Sequence, residues 1–139
     1  MSYLLDTNVV SEPERPRPDK NVLRWLATVD HRSVYLSALT IGEIRKGLAK
    51  LPAGKQRAKI QNWLGDVRNR FSGRILSLTE ETFLIWGNMY AEQERNGFVR
   101  STLDSLLEAT AAEHDLVLVT RNVRNFQQSP VTIFNPWDE

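Results

Sequence analysis

Apolar residues follow two different spacings along this chain, and each spacing predicts one kind of element. Short runs of leucine and β-branched residues, bounded by polar residues, are typical of buried strands. Five such runs occur, at residues 3–5, 34–36, 75–78, 116–119 and 131–134. The intervening segments repeat apolar residues at i, i+3, i+4 and i+7, which is the spacing of one helix face.

The helical spacing predicts five amphipathic helices, each with one apolar stripe. The stripes are Val22, Trp25, Leu26 and Val29; Ile41, Ile44, Leu48 and Leu51; Ile60, Trp63, Leu64 and Val67; Phe83, Trp86 and Tyr90; and Leu103, Leu106, Leu107 and Thr110. Turns at 13–18, 52–54 and 96–97 separate these elements. Strands that alternate with helices favour an α/β fold, with a central, mostly parallel sheet of about five strands flanked by helices on both faces.

The composition fits one domain over residues 1–139. A chain of 139 residues can bury roughly two thirds of its unfolded surface in one core. It contains no cysteine, which excludes disulfides, thiolate zinc sites and cysteine nucleophiles. No apolar run reaches the ~20 residues of a membrane span, and the first residues lack a signal-peptide pattern. We therefore expect a cytoplasmic protein without membrane contact.

The formal net charge of +1 at pH 7 indicates no particular partner, but the positive charges are unevenly distributed. Clusters of lysine and arginine could contact phosphates, or they could be the solvated outer faces of helices. The clusters are Arg45, Lys46, Lys50, Lys55, Arg57 and Lys59; Arg68, Arg70 and Arg74; and Arg121 and Arg124.

Three carboxylates are predicted at one rim of the sheet. Asp6 directly follows the first predicted strand, where an open parallel sheet presents ligand-binding groups, although it could equally cap the next helical turn. Glu43 and Asp104 are expected in the first turns of their helices. Each also ends a capping-box pattern that begins at Thr40 or Ser101, and in that alternative the acid bonds the backbone and takes no part in chemistry.

Acids that meet in one pocket require a physical reason, because adjacent carboxylates repel and raise one another's pKa. A bound divalent cation removes that cost. Oxygen ligands without cysteine favour Mg²⁺ or Mn²⁺ over zinc, and His31 and His114 lack a paired metal-ligand spacing. The sequence therefore predicts a cation site that draws on Asp6, Glu43 and Asp104.

Other polar residues extend this candidate site. Glu108 lies one helical turn after Asp104, and it is a fourth ligand, a nearby base or a solvated helix acid. Thr120 and Asn122 follow the fourth predicted strand. They could bind the water shell of a metal ion or a phosphate, or they could cap the short turn before Phe126.

The motifs together resemble the PIN-domain toxins of the VapC and FitB type. The matching blocks, in order, are LLDTN at 4–8, TIGEIRKG at 40–47, DSLLEATA at 104–111, LVTRN at 118–122 and FNPW at 134–137. Each block alone is weak, but their joint occurrence over nearly the whole chain is highly specific.

This resemblance implies a PIN fold and the toxin of a bacterial toxin–antitoxin pair, with Mg²⁺- or Mn²⁺-dependent endonuclease activity on RNA. Asp6, Glu43 and Asp104 match the family's three principal acids. A fourth acid usually follows the Thr-Arg of the last motif, and Asn122 at that place weakens the case for a second tightly held metal ion. The resemblance also implies a homodimer or a higher toxin–antitoxin assembly, and a VapB-like, DNA-binding antitoxin that wraps the toxin and can insert a basic residue into the acidic pocket.

The expected reaction is hydrolysis of an RNA phosphodiester. Asp6 and Asp104 would hold a metal ion that polarises the phosphate and lowers the pKa of a bound water, and Glu43 would complete the site or orient that water. Arg121, with Arg45 and Lys46, would contact neighbouring phosphates of single-stranded or looped RNA. The expected supporting residues, near the metal ion or the phosphates, are Thr7, Asn8, Glu108, Thr120, Arg121 and Asn122.

Two other functions remain open from the sequence. One is a regulatory α/β module whose acidic rim binds Mg²⁺ without catalysis, as phosphoacceptor domains do. The other is an inactive RNA-binding relative of PIN type, which Asn122 allows. RNA cleavage with and without EDTA distinguishes all three functions.

Overall fold

A five-stranded sheet forms the centre of the computed structural model, which describes residues 1–138. The strands are β1 (Tyr3–Leu5), β2 (Val34–Ser37), β3 (Ile75–Leu76), β4 (Val117–Val119) and β5 (Ile133–Phe134). Their order across the sheet is β3-β2-β1-β4-β5, and all four neighbouring pairs are parallel. The α/β fold and all five strand positions are therefore confirmed, with β3, β4 and β5 shorter than predicted.

Six α-helices accompany the strands within residues 1–138. They are α1 (Thr7–Ser11), α2 (Lys20–Thr28), α3 (Ala38–Ala49), α4 (Lys55–Arg70), α5 (Glu80–Arg95) and α6 (Thr102–Glu113). Short 3₁₀ helices lie at Glu12–Glu14, His31–Ser33, Val123–Phe126 and Pro136–Asp138. The five predicted helices are present. The sequence did not reveal α1, because five residues are too few to show a helical stripe.

Successive strand residues point to opposite faces of the sheet, and the core is divided accordingly. Leu5 and Val119 belong to the cluster that packs under α2 and α4. Leu4 and Leu118 belong to the cluster on the other face, together with Leu107 of α6. Fully burying each leucine contributes about 1.5–3 kcal/mol, so both faces of the short strands are fixed by packing.

The strand order reverses at β1, which lies between β2 and β4. The register pairs Leu5 with Val119, so the next residues, Asp6 and Thr120, leave the sheet side by side. In open α/β sheets, ligands bind in the crevice outside the carboxyl ends of the strands at such a reversal. The fold thus locates the candidate site between Asp6 and Thr120.

The longest helices, α4 and α5, each have 16 residues. At 1.5 Å per residue, such a helix spans about 24 Å, less than the ~30 Å of a bilayer core. Among residues 1–138, no helix combines the length and the apolar character needed to cross a membrane.

Candidate functional site

Asp6 is the buried carboxylate at the centre of the site, with 8% of its surface exposed. One oxygen, Oδ1, accepts a hydrogen bond from the Thr7 backbone N–H at 2.7 Å. The other, Oδ2, accepts from the Thr120 hydroxyl at 2.8 Å and from Asn8 Nδ2 at 3.5 Å. Asp6 is therefore both the N-cap of α1 and a member of the rim cluster, so the two interpretations from the sequence are compatible.

Burial raises the pKa of the Asp6 carboxyl above its ordinary value, because the charged form loses hydration. The hydrogen bonds from Thr120 and Thr7 partly lower this pKa, whereas the charges of Asp104 and Glu43 raise it again. Asp104 and Glu43 thus each lie close enough to Asp6 for their charges to raise its pKa.

Thr120 and Asn8 hold Asp6 in place. The Thr120 hydroxyl, which is fully buried, donates to Asp6 and accepts from the Asn122 backbone N–H at 3.0 Å. Asn8 reaches Thr120 at 3.5 Å through Nδ2, and its Oδ1 accepts from the Arg121 backbone N–H at 3.4 Å. Thr120 consequently closes the turn after β4 and orients the central carboxylate with the same oxygen atom.

Glu43 lies in the second turn of α3, so the prediction that it lies in the first turn was wrong. The helix starts at Ala38, and its N-cap is Ser37, whose hydroxyl accepts from the Leu39 backbone N–H at 3.1 Å. Thr40 therefore lies within the helix, and no capping box joins it to Glu43. Glu43 is exposed and accepts a hydrogen bond at 2.8 Å from the Thr7 hydroxyl, which directs it to the rim beside Asp6.

Asp104 occupies the third position of α6, as the sequence predicted. The Ser101 hydroxyl accepts from the Asp104 backbone N–H at 3.1 Å, so Ser101 is a genuine cap. The Asp104 carboxylate instead accepts from Asn125 Nδ2 at 3.3 Å, and its capping role is not observed. Its carboxylate is therefore available to the site while its backbone completes the cap.

The donor set fits a hard divalent cation. Asp6, Glu43 and Asp104 offer carboxylate oxygens, the ligands that Mg²⁺ and Mn²⁺ prefer. Burial is the main cause of the raised Asp6 pKa, and the charges of Asp104 and Glu43 add to it. A bound cation would remove this repulsion. Within residues 1–138, no three His, Cys, Asp or Glu side chains are already gathered as a metal-binding group. Repulsion between the carboxylates accounts for this separation, and so do the separate hydrogen bonds that Thr7 donates to Glu43 and Asn125 donates to Asp104.

Glu108 is fully buried, so the interpretation as a solvated helix acid was wrong. It lies 3.0 Å from Arg100 Nε, and it accepts from Arg100 Nη2 at 3.2 Å and from Gln93 Nε2 at 2.8 Å. The same Arg100 Nη2 also donates to the backbone oxygen of Gln127. Both carboxylate oxygens of Glu108 are thus engaged in a structural ion pair that ties α5, α6 and the chain after Val123–Phe126 together.

The remaining predicted residues lie on the surface. Arg121, Asn122, Arg45 and Lys46 are exposed, and the Asn122 side chain forms no cap on the 3₁₀ helix that follows it. Their contacts with phosphate or metal remain predictions.

The sequence did not single out three residues that the structure places around the acids or their supports. These are Asn125, which bonds Asp104; Arg100, which pairs with Glu108; and Trp137, which lies against Arg121. The FNPW block at 134–137 was the only signal for any of them, and it indicated family and not a role.

The PIN domain family model matches residues 3–129. Toxin FitB of Neisseria gonorrhoeae is 37% identical over 137 residues, covering 98% of this chain and 99% of that protein. VapC ribonuclease Y4jK of Sinorhizobium fredii is 37% identical, covering 97% of each protein. A solved structure of FitAB bound to a DNA fragment matches with a TM-score of 0.92 and 36% identity, over 97% of this chain and 95% of that one.

The raised pKa of Asp6 predicts how pH affects stability in metal-free buffer. Between the ordinary value of 3.8 and the raised folded value, the folded chain retains a proton that the unfolded chain has released. The stabilisation from Asp6 is therefore complete below about pH 3.8 and is lost as the pH rises through the folded pKa. In EDTA, the unfolding free energy of the wild type relative to Asp6→Asn should fall as the pH is raised.

Urea unfolding of both proteins at a series of pH values measures this difference directly. A relative stability that rises with pH would contradict the raised pKa, because it would require the folded site to favour the ionised form.

Removing the charge of Glu108 should be costly. The Glu108→Gln variant leaves the Arg100 guanidinium buried without its counter-charge, which costs about 3–5 kcal/mol of unfolding free energy. Glu94→Gln, an exposed acid on α5, is the matched control and should change stability by less than about 0.5 kcal/mol. If Glu108→Gln and Glu94→Gln change the unfolding free energy equally in urea denaturation, the ion pair between Arg100 and Glu108 does not stabilise the fold.

Proposed function

The chain belongs to the PIN-domain family, and on this basis we propose that it is the toxin of a toxin–antitoxin pair that hydrolyses RNA with Mg²⁺ or Mn²⁺. The relatives that support this proposal carry the names Toxin FitB and VapC ribonuclease. Each relative is matched over nearly its full length, so the similarity that supports the proposal extends over nearly all residues of both proteins.

One observation carries the proposal: a buried carboxylate at the reversal of strand order, under the charge of two further acids. An acid that only capped α1 would not need Glu43 and Asp104 nearby, because like charges cost free energy. The arrangement supports hydrolysis at a cation site better than it supports a purely structural role.

Asp6 and Asp104 are the proposed metal-holding residues. A bound Mg²⁺ or Mn²⁺ would supply Lewis-acid chemistry, by offsetting phosphate charge and making water more acidic. Thr120 and the Thr7 backbone fix the Asp6 carboxylate, and Asn125 steadies that of Asp104. Glu43, exposed and held by the Thr7 hydroxyl, would orient the attacking water and accept its proton.

We also propose that the partner is a VapB-like, DNA-binding antitoxin and that the protein acts in the cytoplasm. The similarity to FitB within DNA-bound FitAB supports this partner. A second copy of the chain is the further proposed partner. The packed helices α5 and α6 support it, because they expose Phe83, Leu84 and Leu103 by 46%, 58% and 45%, and exposed apolar patches mark interaction surfaces.

Asp6→Asn should abolish metal-dependent RNA cleavage. The variant keeps the shape of the side chain but removes the charge that would hold the cation, and loss of such a group typically costs several orders of magnitude in rate. Cleavage of labelled single-stranded RNA by purified protein, in Mg²⁺, in Mn²⁺ and in EDTA, measures the effect.

Asp66→Asn, an exposed acid on α4, is the control and should cleave normally. Antitoxin binding by Asp6→Asn should persist, which separates loss of chemistry from loss of fold. Near-normal cleavage by Asp6→Asn, or wild-type cleavage that is indifferent to EDTA, would refute the metal-site assignment. Metal or RNA binding without any cleavage by the wild type would favour the non-catalytic functions.

Glu43→Gln should lose most of its activity with little change in stability. A glutamine still accepts the hydrogen bond from Thr7, but it cannot take a proton from water. A purely structural acid would keep its activity, because the glutamine retains the hydrogen bond from Thr7. Cleavage rates and urea unfolding of the same preparation distinguish the two outcomes.

A further inference from the structure

Arg121 is fixed at the rim of the acidic site by its own backbone. The preceding residue, Thr120, donates to Asp6 at 2.8 Å. The Arg121 backbone N–H donates to Asn8 Oδ1 at 3.4 Å. Because these contacts fix the Arg121 backbone, the exposed Arg121 side chain extends from a defined position beside the Asp6 carboxylate.

The Arg121 guanidinium lies over the indole of Trp137, with Cζ 5.2 Å from the ring centroid. A cation at this distance from the face of a tryptophan is attracted by the ring quadrupole. Among residues 1–138, the ion pairs formed do not include Arg121. In this part of the chain, the aromatic contact and not a salt bridge sets the position of the guanidinium.

Trp137 is a firm support for this contact. Its backbone N–H donates to Asn135 Oδ1 at 2.9 Å, and its backbone oxygen accepts from Asn21 Nδ2 at 3.1 Å. The half-buried indole also packs against the core cluster that contains Val22. Since the backbone of Trp137 is hydrogen-bonded on both sides and its ring packs on the core, it is the guanidinium that adapts to the ring.

A guanidinium held in this way suits RNA. Its planar fork can donate two hydrogen bonds to one phosphate, and single-stranded bases stack on arginine planes as they do on aromatic rings. An arginine that is already oriented loses less side-chain entropy on binding. Because the three acids repel the RNA backbone, a cation at their rim is needed to bring that backbone close.

We propose that Arg121 binds the nucleotide next to the scissile phosphate and that Trp137 is the positioning residue for this contact. The inference rests on the proposed ribonuclease function. It identifies the side of the acidic site along which single-stranded RNA lies, past the end of β4 and toward the 3₁₀ helix Pro136–Asp138.

RNA binding is measured in the Asp6→Asn background, so that the substrate survives. The probe is a fluorescently labelled single-stranded RNA of about 12 nucleotides, titrated at several salt concentrations and followed by anisotropy. Arg121→Ala should weaken binding roughly tenfold and reduce the slope of log affinity against log salt by about 0.7, because one phosphate contact is lost.

Trp137→Leu keeps an apolar side chain and the charge of Arg121, so it should weaken binding about threefold with an unchanged salt slope. Trp137→Phe retains an aromatic face and should recover most of the affinity. In an Arg121→Ala background, Trp137→Leu should add no further loss, since a positioning residue acts only through the group it positions.

Arg32→Ala is the control, because Arg32 is an exposed arginine that precedes β2 at the opposite rim of the sheet. It removes the same charge and should leave binding near that of the background protein. If Arg121→Ala and Arg32→Ala bind RNA equally well, the Arg121 contact is refuted while the nuclease proposal stands. Additive losses from Arg121→Ala and Trp137→Leu refute the positioning role. Absence of any RNA binding at low salt overturns the proposed function together with this inference.

Discussion

The hydrogen bond from Thr120 to Asp6 joins the ends of β1 and β4, the neighbouring strands at which the strand order reverses. It brings a carboxylate into a buried position where the charged form is disfavoured, and it partly compensates that cost. The backbone supports of Asn122 and Arg121 depend on the same turn, since Thr120 accepts from Asn122 and Asn8 accepts from Arg121. Without this contact, the ends of β1 and β4 would still lie side by side, but the carboxylate of Asp6 would lose its short bond to β4 and would depend on the longer contacts through Asn8.

The fold was accessible from the sequence because its signals are local. Strand runs and helical stripes each reflect which side of an element meets the core, and neighbouring residues carry that information. Helix starts were less accessible. In the segment 34–40, the strand passes directly into α3, and no break in the pattern separates them, so the pattern indicated Thr40 as the cap. Only the backbone path shows that Ser37 is the cap and that Glu43 lies one turn further on.

The site was predictable in its acids but not in its supports. Asp6 and Asp104 stand at element ends that a parallel sheet brings to one rim, which spacing can predict, whereas Glu43 lies one turn further into α3 than the spacing indicated. Glu108 lies only one turn beyond Asp104, yet it turns inward because Arg100 reaches it from a loop. Asn125 and Trp137 likewise act through contacts made across irregular chain, whose course is not encoded in any periodicity. The supporting contacts depend on side-chain burial and on the course of the loops, and neither could be predicted from the sequence.

Arg100 contacts the chain after Val123–Phe126 through a main-chain oxygen, that of Gln127, and not through a side chain. Any residue type at position 127 offers the same acceptor. The contact that holds this segment therefore does not depend on which side chains the segment exposes to solvent. Variants of this chain could change those groups, and with them the surface presented beside the acidic pocket, while the frame that supports the pocket stays intact.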